Sequence, residues 1–369
     1  MNISDSYSSY IDKLICSGVP FAFYRKPGEG VEFMVQTDDT VCCLNDICDL
    51  DSVSGYVMAP FEVKEASPIV VIRPDCVELD ALQRFLADLK LDDHGQRAAS
   101  DFQEQEVGCC ATEADYTDRI EPFLDALRRG DFDKLVLSRK QPVTYAASKS
   151  IGRAFVEACD TYVRSYVYVC YTPQTGLWLG STPEIILAGD DEGWHTVALA
   201  GTQSLVDGSL PTEWSAKNRR EQAYVAEYIR SILQKNAVEV DEEGPRVVQA
   251  GALAHLKTSF RFHLNGTCTP AELLAYLHPT PAVCGLPKEA SFRFILAHEG
   301  YDRSYYSGFT GRWNCAGKTD LFVNLRCMKC REHQSVLYAG GGILPSSDIH
   351  DEWLETEKKM QTMYRLLKD

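Results

Sequence analysis

The chain has 369 residues, of which 45% are hydrophobic and 24% are charged, and this composition is typical of a globular protein with a large apolar core. It excludes a disordered protein, a collagen and a small disulfide scaffold. The 37 Lys and Arg against 53 Asp and Glu give a formal net charge of −16, which makes nucleic acid and anionic membranes poor partners. A small anionic substrate would need a local basic site or a metal ion.

The N-terminus, MNISDSYSSYIDKL, has neither the basic nor the apolar region of a signal peptide. No apolar run reaches the roughly 20 residues that span a bilayer. We therefore expect a cytoplasmic protein without membrane contact. The 14 cysteines include the adjacent pairs Cys42-Cys43 and Cys109-Cys110 and a single CxxC at 327–330, which suit neither a disulfide framework nor a zinc site. We expect reduced thiols, mostly buried as small hydrophobic side chains.

In chain order, two short runs near the N-terminus predict β-strands, at 21–24 and 54–58. The polar stretch at 86–112 predicts a connection. A helix is predicted over 114–129, because Thr112 is a suitable N-cap, apolar side chains recur at helical spacing and Gly130 ends the pattern.

Beyond this helix, further strands are predicted at 135–137, 167–171, 196–200, 260–264, 320–325 and 335–339. Long helices are predicted at 213–236 and 350–367, from apolar residues three and four positions apart. Because the strands and helices do not alternate regularly, the sequence predicts an α+β fold rather than a doubly wound α/β fold.

Three glutamates occupy unusual positions on the two long helices. Glu221 falls on an apolar face, where a carboxylate is costly unless it is paired, protonated or bound to a metal. Glu352 and Glu355 lie on one face of the last helix together with Lys359. Such carboxylates suit Mg²⁺, a hard cation that prefers oxygen ligands. The alternatives are a Glu221 at the helix edge, near Arg219 or Arg220, and a solvated Glu355–Lys359 pair.

Three further features carry two interpretations each. The glycines at 340–342 either let a backbone approach an anion or form a tight turn before the last helix. Lys134, at the start of an apolar strand, is either a surface residue or a desolvated amine able to act as a base. Glu184 follows the stretch 180–183, which is either an ordinary polar turn or a turn that presents the carboxylate to a site.

Together these segments resemble the chorismate-utilising enzymes, a family of isochorismate synthases, salicylate synthases, anthranilate synthase large subunits and aminodeoxychorismate synthases. The resemblance covers about residues 113–369. Nine collinear motifs carry it: KLVLSR at 134–139, GSTPEIIL at 180–187, ALAGT at 198–202, NRREQAYVAEYI at 218–229, HLKTSF at 255–260, LHPTPAVCGLPKEA at 277–290, YYSGFTG at 305–311, LFVNLR at 321–326 and AGGGILPSSDIHDEWLETEKK at 339–359.

This resemblance implies a catalytic region at 113–369 and a variable N-terminal part at 1–112, in one continuous structural unit. The implied fold is α+β, with two large, roughly orthogonal antiparallel sheets and helices packed outside. Between the sheets it implies a site for Mg²⁺ and the dicarboxylate chorismate. Glu221 and Glu355, with Glu352 nearby, match the metal ligands. The implied substrate-binding positions are Gly201, Thr202, His255, Ala282, Tyr306, Arg326, Gly340 and Lys359.

Two residues match the implied chemistry of the water-using members. Lys134 is the base that activates water, and Glu184 is the acid that protonates the departing C4 hydroxyl. Asn218 and Gln222 depart from the family pattern, since glutamate and histidine are frequent at these positions.

Three positions separate the members of the family. Lys134 stands where anthranilate synthases typically have glutamine, Ala200 where aminodeoxychorismate synthases have a nucleophilic lysine, and Ala282 where ammonia-using and salicylate-forming members often have threonine. These residues favour a Mg²⁺-dependent isochorismate synthase of the menaquinone or siderophore type that needs no glutamine amidotransferase partner. The alternatives are a salicylate synthase and a non-catalytic subunit of an amidotransferase complex.

Overall fold

The computed structural model describes residues 3–89, 110–146, 149–205, 207–251 and 253–368. Within these ranges the helices are α1 (Ile3–Ser17), α2 (Leu79–Asp88), α3 (Glu113–Arg128), α4 (Ile151–Thr161), α5 (Ala216–Asn236), α6 (Pro270–Leu277), α7 (Lys288–His298) and α8 (Ile349–Tyr364). Short 3₁₀ turns lie at Ile47–Ser52 and Arg365–Leu367.

The strands in the same ranges are β1 (Phe21–Arg25), β2 (Val31–Val35), β3 (Cys42–Leu44), β4 (Gly55–Ala59), β5 (Ile69–Ile72), β6 (Lys134–Thr144), β7 (Tyr166–Thr172), β8 (Gly176–Thr182), β9 (Ile185–Asp190), β10 (Gly193–Ser204), β11 (Ala237–Ala250), β12 (Leu253–Leu264), β13 (Gly285–Leu286), β14 (Phe309–Cys315), β15 (Lys318–Val323), β16 (Cys327–Arg331) and β17 (Gln334–Ile343).

These strands form two large antiparallel sheets, which confirms the predicted α+β fold. The eight-stranded sheet has the order β13-β6-β17-β16-β8-β7-β1-β2, and the nine-stranded sheet has the order β11-β12-β10-β9-β15-β14-β4-β5-β3. The N-terminal strands belong to both sheets, because β1 pairs with β7 and β4 pairs with β14. The described strands before residue 113 therefore complete the same two sheets that the later strands form.

Alternation along the strands places the sheets against each other and the helices outside. On β1, Tyr24 packs in a tyrosine-rich cluster shared by the two sheets, whereas Phe23 packs on the opposite side against helices such as α1 and α4. The outer face of the nine-stranded sheet packs in the same way on α5 and α6, through Val225 and Leu274. Period-two alternation thus buries both faces of each sheet.

Several predicted boundaries are confirmed and explained by caps. Helix α3 begins after Thr112, whose hydroxyl accepts a hydrogen bond from the Asp115 amide while the Asp115 carboxylate accepts one from the Thr112 amide. Gly130 follows this helix with a φ of 82°. Helix α5 starts at residue 216 rather than 213, because Ser215 is the N-cap.

Of the two interpretations of the glycine run at 340–342, the tight turn is wrong. These residues lie inside β17 and pair with β6, where Gly340 is opposite Ser138 and Gly342 is opposite Val136. Strand β6 is correspondingly longer than predicted and ends at residue 144. Most of the predicted connection at 86–112, including Cys109, lies outside the described residues.

Seven of the thirteen cysteines in the described ranges are buried, among them Cys327 and Cys330 of the CxxC, whereas Cys16, Cys42, Cys43 and Cys48 are exposed. Burial raises the pKa of Cys330 to about 12, which makes it a poor nucleophile or metal ligand at neutral pH. None of the helices in the described part of the chain has both the length and the apolar character needed to cross a membrane.

Candidate active site

A cavity that opens to solvent is lined by strands of both sheets, including β6, β10, β12 and β17. The lining contains ten of the thirteen residues predicted for the site: Glu184, Gly201, Thr202, Glu221, His255, Ala282, Tyr306, Arg326, Gly340 and Lys359. The other three, Lys134, Glu352 and Glu355, lie behind the wall formed by Gly341 and Gly342. The sequence motifs, although spread over 226 positions, therefore converge on one place.

Arg326 supplies a buried positive charge at the cavity. It has a φ of 47°, and its Nη1 donates to the carbonyl oxygen of Ala250 at 2.8 Å. Burial lowers the pKa of Arg326 to about 10, so the guanidinium stays charged at neutral pH. Two of its donors are fixed by the protein, which holds the guanidinium in place for an anion.

His255 is held in one tautomer beside this arginine. Its Nδ1–H donates to the carbonyl oxygen of Gly201 at 3.0 Å, and its Nε2 accepts a hydrogen bond from Arg326. Burial, Arg326 and Lys359 hold the pKa of His255 well below its usual range. The imidazole is therefore neutral, and it orients the guanidinium without adding a charge to the site.

Gly201 and Thr202 form a bulge in β10. The register against β12 shifts between Ala200 and Thr202, and Gly201 has a φ of 70°. A side chain at 201 would also be strained against Asn218, because an added Cβ would lie 3.0 Å from the Asn218 carbonyl oxygen. The Asn218 amide in turn donates to the carbonyl of Thr202 at 3.3 Å. The unusual asparagine thus anchors this bulge.

Lys359 places a second cation at the cavity, on α8. Its Nζ lies 2.8 Å from the carbonyl oxygen of Gly340 and 2.8 Å from Glu355 Oε1. Tyr306 approaches the same glycine, since a Cβ at position 340 would be 3.1 Å from the Tyr306 hydroxyl. A side chain at 340 would fill the space between the tyrosine and β6.

Glu184 is the buried carboxyl group of the cavity. Proline 183 and Glu184 join β8 to β9, and the Glu184 carbonyl accepts a hydrogen bond from the Val323 amide at 2.9 Å. Its side chain is 2% exposed, and Oε1 has no hydrogen-bond partner among the described residues. Burial raises the pKa of Glu184 to about 8, against the opposing effect of Lys134 and Lys359. The carboxyl group is therefore mostly protonated at neutral pH, as a general acid must be.

Lys134 is fully buried at the start of β6, which excludes the surface interpretation. Its Nζ lies 3.2 Å from Glu221 Oε1, so the lysine and the glutamate form an ion pair across β6 and α5. Gly342 packs directly against this pair, because a Cβ at 342 would lie 2.0 Å from Glu221 Oε1, which reaches the cavity, and 2.9 Å from Lys134 Cε, which does not. Only glycine fits at this position.

The three predicted metal ligands are each turned towards a lysine: Glu221 to Lys134, Glu352 to Lys217, and Glu355 to Lys359. Within the described ranges, His, Cys, Asp and Glu side chains accordingly form no ready-made group of three metal ligands.

The donor set nevertheless fits a hard cation. Glu352 Oε2 is buried without a hydrogen-bond partner in the described residues, and burial and Glu355 raise the pKa of Glu352 to about 7. A Cβ at Gly341 would lie 3.3 Å from Glu352 Oε2 and 3.5 Å from Glu355 Oε1. Carboxylates crowded around two glycines, one with a free oxygen, are suitable oxygen ligands for Mg²⁺.

The sequence argument missed several residues of the site. Leu199, Leu325 and Tyr338 line the cavity but have the pattern of ordinary core strand residues. Lys217 was missed as well, although it lies four residues before Glu221 on the same helix. That spacing shows that both side chains are on one face, but the contact of Lys217 with Glu352 on α8 appears only in three dimensions.

Comparison with known proteins identifies the family. A family model described as "Chorismate binding enzyme" matches residues 74–368. The isochorismate synthase EntC of Escherichia coli K12 is 32% identical over 239 residues, which are 63% of this chain and 61% of that protein. The isochorismate synthase DhbC of Bacillus subtilis is 27% identical over 325 residues, which are 84% of this chain and 79% of that protein.

Solved structures agree on the fold. A putative 2,3-dihydroxybenzoate-specific isochorismate synthase, DhbC from Bacillus anthracis, has a TM-score of 0.76 at 22% identity and covers 96% of this chain and 99% of its own. Anthranilate synthase component I from Streptococcus pneumoniae has a TM-score of 0.67 at 17% identity and covers 93% of this chain and 89% of its own. With the family match over most of its length, the chain belongs to the chorismate-binding enzyme family.

Proposed function

We propose that this protein is an isochorismate synthase, an isomerase that converts chorismate to isochorismate by attack of water at C2 and loss of the C4 hydroxyl. The observation that carries the proposal is Glu184, a buried carboxyl group with a pKa of about 8 in a cavity that also holds Arg326 and Lys359. The cavity therefore combines a proton donor, Glu184, with two cationic groups that can bind an anion. The names of the E. coli and B. subtilis relatives support the same reaction.

The substrate is a dianion, and the cavity can offset its charge. Arg326 and Lys359 face the cavity, and the Tyr306 hydroxyl and the bulge at Gly201 and Thr202 add hydrogen-bonding groups. In a buried site these charge-assisted contacts are stronger than in water, since the local dielectric is low. A protein with a net charge of −16 can therefore bind a dicarboxylate locally.

Proton transfer requires a base and an acid at the ring. Lys134 Nζ is the base that takes a proton from the water that attacks C2. Glu184 gives its proton to the C4 hydroxyl, which leaves as water. Lys134 stands behind Gly342, so the absence of a side chain at 342 is what leaves a route from its amine towards the cavity.

We further propose that Glu221 and Glu355, with Glu352 nearby, hold Mg²⁺. The bound cation would supply positive charge that offsets a substrate carboxylate. Each of these glutamates also lies beside a lysine: Glu221 beside Lys134, Glu352 beside Lys217 and Glu355 beside Lys359.

Product identity tests the proposed reaction. Purified protein incubated with chorismate and Mg²⁺ should release isochorismate, with no salicylate beyond slow background, as measured by chromatography over time. Added ammonia should yield no anthranilate, because Lys134 favours water as the nucleophile. Stoichiometric salicylate and pyruvate would instead identify a salicylate synthase, and no conversion at all would favour a non-catalytic subunit.

A substitution of Ala282 tests whether this position lies on the path of the attacking water. Ala282 lines the cavity beside Val283, and Ala282→Thr adds a hydroxyl and a methyl group there. We expect a fall in kcat that exceeds any weakening of chorismate binding, because a misplacement of about 1 Å can cost about 100-fold in rate. Leu296→Thr, at an exposed position of α7, is the control. Unchanged kcat for Ala282→Thr would exclude this position from the path of the water.

The pKa of Glu184 predicts a pH dependence. Activity should fall as pH rises through about 8, because the general acid loses its proton. The measurement is kcat/KM from neutral to alkaline pH, and Glu184→Gln should lack this limb in its residual activity. An identical limb in that variant would assign the titration to another group.

The same group predicts a change in stability. The folded-state pKa of about 8 lies above the ordinary value of 4.5, so the folded protein binds the proton more tightly than the unfolded chain. The free energy of unfolding therefore decreases as pH rises between these values. Glu184→Gln should raise the melting temperature relative to the wild type at alkaline pH, whereas Glu227→Gln, at an exposed position of α5, should not.

A further inference from the structure

A buried ion pair lies outside the lining of the cavity and has no role in the mechanism above. Glu299 and Arg303 are four residues apart in the segment that follows α7, and each side chain is 2% exposed. Arg303 Nε donates to Glu299 Oε2 at 2.6 Å, and Arg303 Nη2 donates to Glu299 Oε1 at 2.7 Å. The guanidinium also stacks on Phe61, 4.3 Å from the ring centroid.

This pair takes the place of a neighbouring strand along the edge of β6. Strand β13 pairs with β6 only at Lys134 and Leu135. Further along the same edge, Arg303 Nη2 donates to the Val136 carbonyl at 3.0 Å, and the Ser138 amide donates to Glu299 Oε1 at 2.6 Å. Side chains thus satisfy the backbone groups of β6 just beyond the base Lys134.

The same guanidinium also holds the neighbouring wall of the cavity. Arg303 Nη1 donates to the carbonyl of Val283 at 2.7 Å, in the loop that carries Ala282. The Val136 amide also donates to the carbonyl of Cys284 at 2.8 Å. Val136 and Val283 both line the cavity. Arg303 therefore connects the β6 wall to the wall that contains Ala282.

Stability alone is a weak reason for such a pair. Removing two charges from water is costly, and buried ion pairs can often be replaced by apolar residues of similar volume without loss of stability. Burial would lower the pKa of Arg303, but Glu299 outweighs this effect and keeps the pKa raised. What an apolar replacement cannot supply is a rigid guanidinium fork that hydrogen-bonds β6, the loop at Val283 and the Glu299 carboxylate at the same time.

We propose that Glu299 and Arg303 form a positioning pair that sets the placement of Lys134 relative to the loop carrying Ala282. This inference rests on the proposed function, because it assigns the pair to the approach of water between those two walls. The pair touches neither substrate nor metal in this scheme. It acts by fixing two pieces of backbone that are also joined by the short β13 contact and by the Val136–Cys284 and Asp133–Leu286 hydrogen bonds.

The test is the double variant Glu299→Gln/Arg303→Met, which removes both charges and keeps similar volume and an acceptor for Ser138. We expect a folded protein with a lower melting temperature, because the buried carbonyls of Val136 and Val283 lose their donor, together with little change in KM and a fall in kcat of about 10- to 100-fold. Hydrogen exchange should rise in peptides covering 134–140 and 278–287 and stay unchanged elsewhere. The single variant Arg303→Lys, which keeps the charge but not the fork, should show the same pattern.

Arg119→Met is the matched control, because Arg119 Nη1 donates to the Glu299 carbonyl at 2.7 Å but contacts neither wall of the cavity. It should leave kcat and exchange in both peptides unchanged. Wild-type kcat in the double variant and in Arg303→Lys would overturn the inference. The inference would also be overturned if both variants showed a lower melting temperature, a higher KM and a lower kcat together, since that pattern indicates a purely structural role. If the wild type does not convert chorismate, the proposed function fails, and the local exchange rates still decide whether the pair holds the two walls.

Discussion

Glu221→Ala and Glu355→Ala are each expected to abolish detectable turnover while the protein remains folded. Each change removes a carboxylate from the group around Gly341 and Gly342, where the structure offers suitable oxygen ligands for a hard cation. The expected loss of Mg²⁺ affinity exceeds the roughly 10- to 100-fold typical of residues that only support the ligands. Calorimetric titration with Mg²⁺ and Mn²⁺ measures the affinity, and circular dichroism measures the fold.

Glu227→Ala is the matched control, because it removes an exposed carboxylate from the same helix as Glu221. It should bind metal and turn over chorismate as the wild type does. Treatment of the wild type with EDTA should stop the reaction, and added Mg²⁺ should restore it. Full activity of a metal-free wild type, or unchanged metal affinity in both alanine variants, would contradict the proposed metal site.

The two glutamates have different lysine partners, and this difference separates the effects of the two variants. Glu221→Ala also removes the carboxylate that pairs with Lys134, whereas Glu355→Ala removes the carboxylate that pairs with Lys359. A change in the base alone would therefore appear only in the first variant. Equal loss of metal affinity in both would show that the common effect is the loss of a ligand.

The parts of the fold that follow from local chemistry were predictable. Helix α3 carries a capping box at Thr112 and Asp115 and a glycine just beyond its end, and such signals act within a few residues. The amphipathic pattern of α5 likewise placed Glu221 on a buried face. The resemblance to a known family then predicted ten residues that line one cavity in the structure.

Long-range packing decided what the sequence could not show. The glycines at 340–342 resemble a turn locally, yet they lie in a strand that pairs with β6. Glycine is needed at 341 and 342 because Glu221, Glu355 and Lys134 pack where side chains would otherwise stand. Helix α1 was missed because its serine-rich sequence has a weak local helical preference, whereas its contact with α4 stabilises it. The edge of β6 was also unpredictable, because Glu299 and Arg303 reach it from more than 160 residues away.

Lys134 and Glu184 carry the other large expected effect. Lys134→Gln, which retains a polar partner for Glu221, and Glu184→Gln should each lower kcat by about 100- to 10,000-fold, the usual contribution of a general base or acid. KM should change little, because neither side chain supplies the positive charge that binds the dianion. Lys140→Gln, a buried lysine on the same strand but outside the cavity, is the control and should retain wild-type kcat. The measurement is the steady-state rate of isochorismate formation. A kcat near the wild-type value for Lys134→Gln would show that the lysine amine does not activate the water. The same result for Glu184→Gln would show that Glu184 is not the proton donor on which the proposed reaction depends.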